Sequence, residues 1–532
     1  MNNRISLNSI FKIVNILFLI VLENFLFDCG MGFLGISLLF FAALYNVFFG
    51  GLQTGISKMV SMRNSKGLNS NAQIILKPAL IYVGIVGILL CLISLVTAPA
   101  FCLKLTGTTF MAPILQVLSF VFLVNGITDA VCGYQNGNTN AVILHIATLL
   151  KTVLPILLIF VFFSPFKEYG NKVATLLKID YVTNAYMALA VVCVYFFTSL
   201  IVLIAVLVLS VRLRLPKREG RNLRSMDTKK MTHGAVFTTA FKISLHQWFP
   251  VVSIFAAGLL YLYMAGKTEI TAQRAFVNCG ILFSRVFLPA AFILAIFSEY
   301  ITREKYRLHN DYRKQDPKTA MIRTQYIIKN SFFMLLPPSV ILTFLADPLV
   351  KVFYTGQYSY AAKVLQAAGF LVLCAGIAQA LNAVMKAAGM DPEAFGTQIL
   401  SFVVQLIFLG ITLKSTNASF LYVVYSFYLF FGIQILFGFV LVYKKIRPDI
   451  MDILYKIGKY GAAAIVMMVL FIILDRFVMM NVLLMILSMI LGYLLYYLTL
   501  IALRAISKKD EMALKRTLNY YPVAFLRSRL RL

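Results

Sequence analysis

Charged residues are scarce in this chain. Asp, Glu, Lys and Arg make up 13% of its 532 residues, about half the share of a soluble domain. Acids are the scarcer sign, 20 against 49 Lys and Arg. Polar linkers are missing too, although a soluble chain of this length would divide into several domains. Cys29, Cys91, Cys102, Cys132, Cys193, Cys279 and Cys374 include no CxxC pair. That excludes a disulfide framework and a cysteine zinc site. His145, His233, His246 and His309 are dispersed, with no metal-ligand spacing. No GxxxxGK[ST] occurs, so no phosphate-cradling loop of that type is present. A soluble enzyme, a nucleic-acid-binding module and a disordered scaffold are all excluded, and no cofactor is expected.

Apolar residues are abundant, at 61% of the chain, with a mean hydropathy of +0.86. A helix crosses a bilayer with about 20 of them. Apolar runs bounded by charges or turn residues lie at 8–28, 31–57, 74–100, 108–134, 140–164, 185–211, 235–264, 271–298, 325–350, 360–387, 393–413, 417–443, 456–475 and 477–503. These fourteen predict an all-α, polytopic membrane protein. The strand alternation of an outer-membrane barrel is absent. The first run has polar interruptions, no small-x-small cleavage site, and a second span directly after it, so it is not read as a signal peptide.

The basic residues fix an orientation. With the N-terminus inside, 34 of the 49 fall in alternate, cytoplasmic segments. The largest groups are eight in 212–230, seven in 303–323 and eight from Arg504 onward. Such a bias follows the positive-inside rule, and it places both termini in the cytoplasm. The net charge of +29 is therefore read as topology and not as a nucleic-acid footprint.

Leu115–Ala130 in the fourth span and Leu365–Ala380 in the tenth align without gaps, with seven identities in sixteen positions. The offset of 250 makes spans 1–6 repeat as spans 7–12. Both halves start inside, so they would be parallel repeats, of the kind whose transporters alternate access by rocking one half against the other. The expected organisation is a lobe over 1–211, a basic cytoplasmic linker over 212–234, a second lobe over 235–443, spans 13 and 14 over 444–503, and a basic tail over 504–532.

Charges within spans are costly and mark candidate sites. On span one, Asn8, Lys12, Asn15 and Glu23 share a stripe about 80° wide. Lys12 and Glu23 stand roughly 16 Å apart along the helix axis, too far to pair. Thr238, Lys242 and His246 follow one face of span seven, and Arg274, Asn278 and Arg285 one face of span eight. Pro289 removes the helical donor to the carbonyl of Arg285 and favours a kink there. Lys12, Lys242, Arg274, Asn278 and Arg285 are thus the candidate binding residues for an anionic substrate. Glu23 and Asp129 are the acids deep enough to couple a cation, H+ or Na+. The packing alternative pairs Arg285 with Glu23 or Asp129. On span four Asn125 and Asp129 share a face; Asp129 lies near the cytoplasmic end of its span, where capping the loop is the alternative to a site role, and Lys151 in span five has a similar choice.

GGLQTGISKMVSMRNSKG, Gly50–Gly67, resembles the second-helix signature of bacterial polysaccharide exporters and lipid-II flippases of the multidrug/oligosaccharidyl-lipid/polysaccharide (MOP) superfamily. CGYQNGNTNAV, Cys132–Val142, is similar to the turn after their fourth helix. LLPPSVILTFLADPLVKVFYTG, Leu335–Gly356, resembles their proline-containing ninth helix. The resemblance implies two six-helix lobes, a cationic cavity and a polyprenyl-diphosphate-linked saccharide as cargo. It implies a flippase in a bacterial plasma membrane, among membrane lipids, beside glycosyltransferases and a separate polymerase. Phe18 stands where the lipid-II branch carries an Arg, which leaves capsule, teichoic and sporulation-related exporters open. An ion-coupled drug or cation antiporter is the alternative; it would want a net acidic cavity. A membrane glycan polymerase would need outer-face acids or bases, and the longest outer loop, 165–184, holds only Glu168 and Asp180.

Overall fold

A computed structural model of the chain describes residues 7–67, 72, 74–212, 238, 248–268, 270–354, 358–478 and 482–505. Among them every regular element is helical: α1 (Leu7–Phe49), α2 (Leu52–Ser65), α3 (Leu76–Thr106), α4 (Ala112–Gly137), α5 (Ala141–Leu177), α6 (Val182–Arg212), α7 (Trp248–Ala265), α8 (Ala272–Ile281), a π-helical segment (Leu282–Phe287), α9 (Leu288–Arg313), α10 (Pro317–Phe344), α11 (Ala346–Phe353), α12 (Tyr358–Ala368), α13 (Leu371–Ala387), α14 (Asp391–Ser415), α15 (Leu421–Ile446), α16 (Ile450–Val478) and α17 (Val482–Ala502).

Thirteen stretches of the described residues are long and apolar enough to cross a membrane. The chain is a multi-pass membrane protein. Twelve of these stretches each correspond to one expected span. The remaining one, Ile10–Ser65, covers the first two together. Its 56 residues would run about 84 Å as one straight helix, far more than one bilayer crossing. Phe27 interrupts it, at φ 56° and ψ 172°, a backbone region that side chains rarely occupy. No glycine or proline stands at that position, so the break carried no sequence mark.

Contacts divide the chain into two compact units. One comprises Phe25–Gly280 with Leu413–Ala418; the other comprises Met1–Asn24, Ile281–Thr412 and Ser419–Leu532. The chain changes unit next to Phe27 and again at the start of the π segment. These boundaries differ from the expected halves in one regular way. The helix before Phe27 groups with the 281–532 unit, and α7 groups with the 25–280 unit. In terms of the 250-residue repeat, the first helix of each half belongs to the unit built mainly from the other half.

Within the 25–280 unit, Phe49, Leu52, Ile56 and Val60 pack on Ala79, Tyr82, Val83 and Phe122. Lipid tails are as apolar as these side chains, so close backbone approach and polar contacts do more here than hydrophobicity does. The two sequence motifs Gly50–Gly67 and Cys132–Val142 meet at this point. A Cβ at Gly133 would lie 2.6 Å from the Gln53 carbonyl oxygen, and one at Gly137 would lie 2.8 Å from that of Ser57. Asn64 Nδ2 donates to Asn138 Oδ1 at 2.8 Å, and Asn136 Nδ2 donates to Ser57 Oγ at 3.0 Å. The glycines of the second motif are thus the seat for α2.

Within the 281–532 unit, α10 is the most buried of the crossing helices. Lys329 on α10 is ion-paired with Asp452 on α16. Tyr496 on α17 donates its hydroxyl to the Phe333 carbonyl at 3.4 Å, and the rings of Tyr460, Tyr496 and Tyr497 surround Phe333. Spans 13 and 14 are fastened to the ninth in this way. The repeat also has an echo in packing. A Cβ at Gly126 would meet Val83 on α3, and one at Gly376 would meet Leu335 on α10. These positions stand 250 apart, and each glycine faces the span preceding its own.

Candidate functional site

Two clusters of the expected charges lie within apolar spans, one in each unit. In the 281–532 unit, Arg285 Nη2 donates to Glu23 Oε1 at 2.9 Å, and both side chains are wholly buried. Arg285 lies inside the π segment. The Leu288 N–H bonds the Phe283 carbonyl five residues back, where an α-helix would step four. Pro289 follows directly and has no N–H to offer Arg285, so the ladder slips by one residue at this point. Tyr354 closes the cluster. Its ring stands 5.3 Å from the guanidinium, and its hydroxyl donates to the Ser284 carbonyl at 3.2 Å. Burial, with the Glu23 carboxylate nearby, holds the Tyr354 phenol well above its ordinary range. Asn24 Nδ2 donates to the Phe353 carbonyl at 3.1 Å. The end of α1 before the break is therefore tied to the π segment and to the end of α11.

In the 25–280 unit, Asp129 on α4 receives two groups. The Tyr45 hydroxyl donates to Oδ2 at 2.5 Å, and Lys151 Nζ stands 3.7 Å from Oδ1. Here the side chains of Lys151 and Asp129 are 34% and 21% exposed. This pair keeps exposed surface, whereas Arg285–Glu23 has none.

The remaining expected residues fall as follows. Lys12 and Arg274 are exposed. The backbone N–H of Arg274 bonds Thr271 Oγ1 at 3.4 Å. Asn278 is buried and gives its amide to the Tyr261 hydroxyl at 2.6 Å. Lys242 and His246 lie outside the described residues. Arg285 was expected either to meet an anionic ligand or to pair with an acid, and here it pairs with Glu23. The packing alternative, pairing with Glu23, is what the side chain does, because an isolated buried arginine would be left uncompensated.

Reading the sequence missed several participants. Asp28, just past the break, is buried, and its carbonyl blocks any side chain at Gly280. Tyr45 and Tyr354 were not distinguishable among 27 tyrosines. Lys329, inside the expected span 325–350, and Asp452, before the expected span 456–475, were not singled out.

No protein-family model matches the sequence, and no curated protein matches it. Solved structures do. A lipid II flippase MurJ in an inward closed conformation aligns with a TM-score of 0.64, over 93% of this chain and 98% of that one, at 16% identity. A multidrug resistance MATE family transporter in an inward-facing conformation aligns at 0.62, over 84% and 96%, at 15% identity. A MOP superfamily transporter from Pyrococcus furiosus Vc1 (DSM3638), described by the reverse polarity of its binding pocket, aligns at 0.55, over 83% and 95%, at 16% identity. The chain shares its fold with these structures, and at these identities the likeness is one of fold alone. The match to the flippase is longer than the match to the MATE structure by about the length of α16 and α17 together.

Proposed function

We propose that this MOP-fold chain is a transporter that moves a polyprenyl-diphosphate-linked saccharide across a bacterial plasma membrane by alternating access. One observation carries the reading. The two acids that the sequence marks for a cation each stand beside a basic side chain, Glu23 with Arg285 and Asp129 with Lys151. The two expected site residues left exposed, Lys12 and Arg274, are both basic. This balance favours an anionic cargo, because a diphosphate makes charge-assisted hydrogen bonds with such donors and cannot enter hydrocarbon unaided. The long match to a lipid II flippase supports the same class. The prenyl tail stays in lipid while the headgroup crosses. Lys242 joins Lys12 and Arg274 on this reading, and Asn278 and Arg285 contribute in a conformation that releases them. Glycosyltransferases would supply the cargo, and a separate polymerase would consume it.

Profiling lipid-linked intermediates after depletion of the protein tests this. Accumulation of an undecorated or unpolymerised lipid-linked saccharide on the inner leaflet is the expected result. Unchanged intermediates, with altered sensitivity to cationic drugs, would replace the reading by the antiporter alternative. Lys12→Ala and Arg274→Ala should each reproduce the accumulation at normal protein abundance.

A further inference from the structure

Asp129 and Lys151 stand apart from the sealed Arg285–Glu23 pair in three respects. First, they are placed deep. Asp129 lies eight residues before the end of α4, and Lys151 lies ten after the start of α5. They are therefore about 12 and 15 Å from the hairpin turn that joins the two helices, and both lie inside the apolar runs 108–134 and 140–164. An ionised carboxylate at that depth needs a cation. Second, the contact is loose. At 3.7 Å the ammonium lies beyond hydrogen-bonding distance, and both side chains keep exposed surface. The carboxylate is neutralised but not enclosed. Third, further oxygen donors are near at hand, one touching Asp129 and one a helical turn away on α4. Tyr45 OH touches Oδ2. Asn125 precedes Asp129 by one turn of α4, and its Oδ1 is buried and makes no hydrogen bond among the described residues. A carboxylate oxygen, a carboxamide oxygen and a phenol oxygen are the donors that a hard alkali cation takes, and none suits a soft transition metal.

We propose that Lys151 is a tethered counter-cation standing where a free monovalent cation would otherwise bind, and that Asp129, Asn125 and Tyr45 form an Na+-type site kept shut by its ammonium. This deepens the transport reading at one point: the acid of the 25–280 unit that the sequence marks for a coupling cation is held by the chain's own lysine. Free Na+ is then excluded at Asp129 by the lysine's ammonium. Glu23 admits no such exchange, because its pair with Arg285 has no exposed surface.

The test uses purified full-length protein and needs no cargo, so it is independent of whether the saccharide assignment holds. Binding of 22Na+ is measured directly, and the unfolding midpoint is followed in NaCl against choline chloride at equal ionic strength. Wild type is expected to show no saturable Na+ binding and no Na+-specific shift. Lys151→Met, which keeps the chain's bulk and removes its charge, should bind Na+ saturably and unfold at a higher temperature in NaCl than in choline chloride. The double variant K151M/D129N should lose both effects, and Lys151→Arg should behave as wild type. Na+ binding by wild type that disappears in Asp129→Asn would overturn the proposal, as would a folded K151M indifferent to Na+. Should K151M fail to accumulate, Lys151→Gln keeps a polar side chain beside Asp129 and is scored by the same two measurements. If it too binds no Na+, the pair is an ordinary packing contact.

Discussion

Arg285 and Glu23 are joined at 2.9 Å with no exposed surface on either side chain. The pair links the end of α1 just before Phe27 to the π segment of the eighth span. A buried pair of this kind adds little net stability, since desolvation offsets most of the attraction. Removing one partner is another matter, because a lone charge then remains in the interior at a cost of about 3–5 kcal/mol. Arg285→Ala should therefore lower the abundance and unfolding temperature of the purified protein. Glu23→Gln in the same chain should recover most of the loss, and Arg285→Lys should fall between. Normal abundance of Arg285→Ala with lost export would instead show that the guanidinium serves cargo in another conformation.

Lys329 makes the same argument for the last two spans. Its side chain is nearly buried within α10, and its carboxylate partner Asp452 comes from α16. Asp452→Asn should destabilise the protein, and adding Lys329→Met should restore it, as read from detergent-solubilised unfolding curves. A chain truncated before α16 should accumulate only when Lys329 is replaced as well. Equal accumulation of the truncated chain with and without Lys329→Met would show that α16 is not needed to neutralise that lysine.

Gly137 and Gly410 are both helical glycines, yet they predict opposite outcomes. A Cβ at Gly137 would lie 2.6 Å from that of Val60 and 2.8 Å from the Ser57 carbonyl. Gly137→Ala should force α2 away from α4 and cost about 1–3 kcal/mol, as overpacking does. Nothing lies within 4 Å of a Cβ at Gly410. Gly410→Ala should stabilise α14 by about 0.5–1 kcal/mol. Paired thermal unfolding of the two variants checks the sign of each.

Span positions were readable because they rest on composition over about 20 residues, which local errors do not disturb. Pro289 announced a disturbance at Arg285, and the π segment formed around it. The Gly133 and Gly137 pattern was visible as a motif, although its partner helix was not. The pairings were harder to see. Glu23 and Arg285 are 262 residues apart, and the sequence offered Asp129 as an equal partner for the arginine. Lys329 and Asp452 are 123 apart, and nothing in the spacing of either marks the other as its partner. Phe27 left no trace at all, because tertiary contacts impose its left-handed φ on a residue that does not favour it. The grouping of α7 with the 25–280 unit was likewise invisible to an argument that divided the chain at its longest basic loop.

Orientation rests on the basic loops, and it can be tested site by site. The seven native cysteines are mostly buried, with Cys193 and Cys374 intermediate, so a chain with those two replaced by serine gives a low background. Lys172, near the end of α5, is exposed, and Lys351 on α11 is partly so. Lys314 is exposed just after α9, and Arg221 belongs to the 212–234 segment outside the described residues. With both termini in the cytoplasm, Lys172→Cys and Lys351→Cys should react with a membrane-impermeant maleimide in whole cells. Lys314→Cys and Arg221→Cys should react only after the membrane is opened. Opposite labelling at all four positions would invert the orientation and put the large basic loops outside. Discordance at only one side of the linker would mean that a span between the two halves had been miscounted, and the six-plus-six repeat would fail with it.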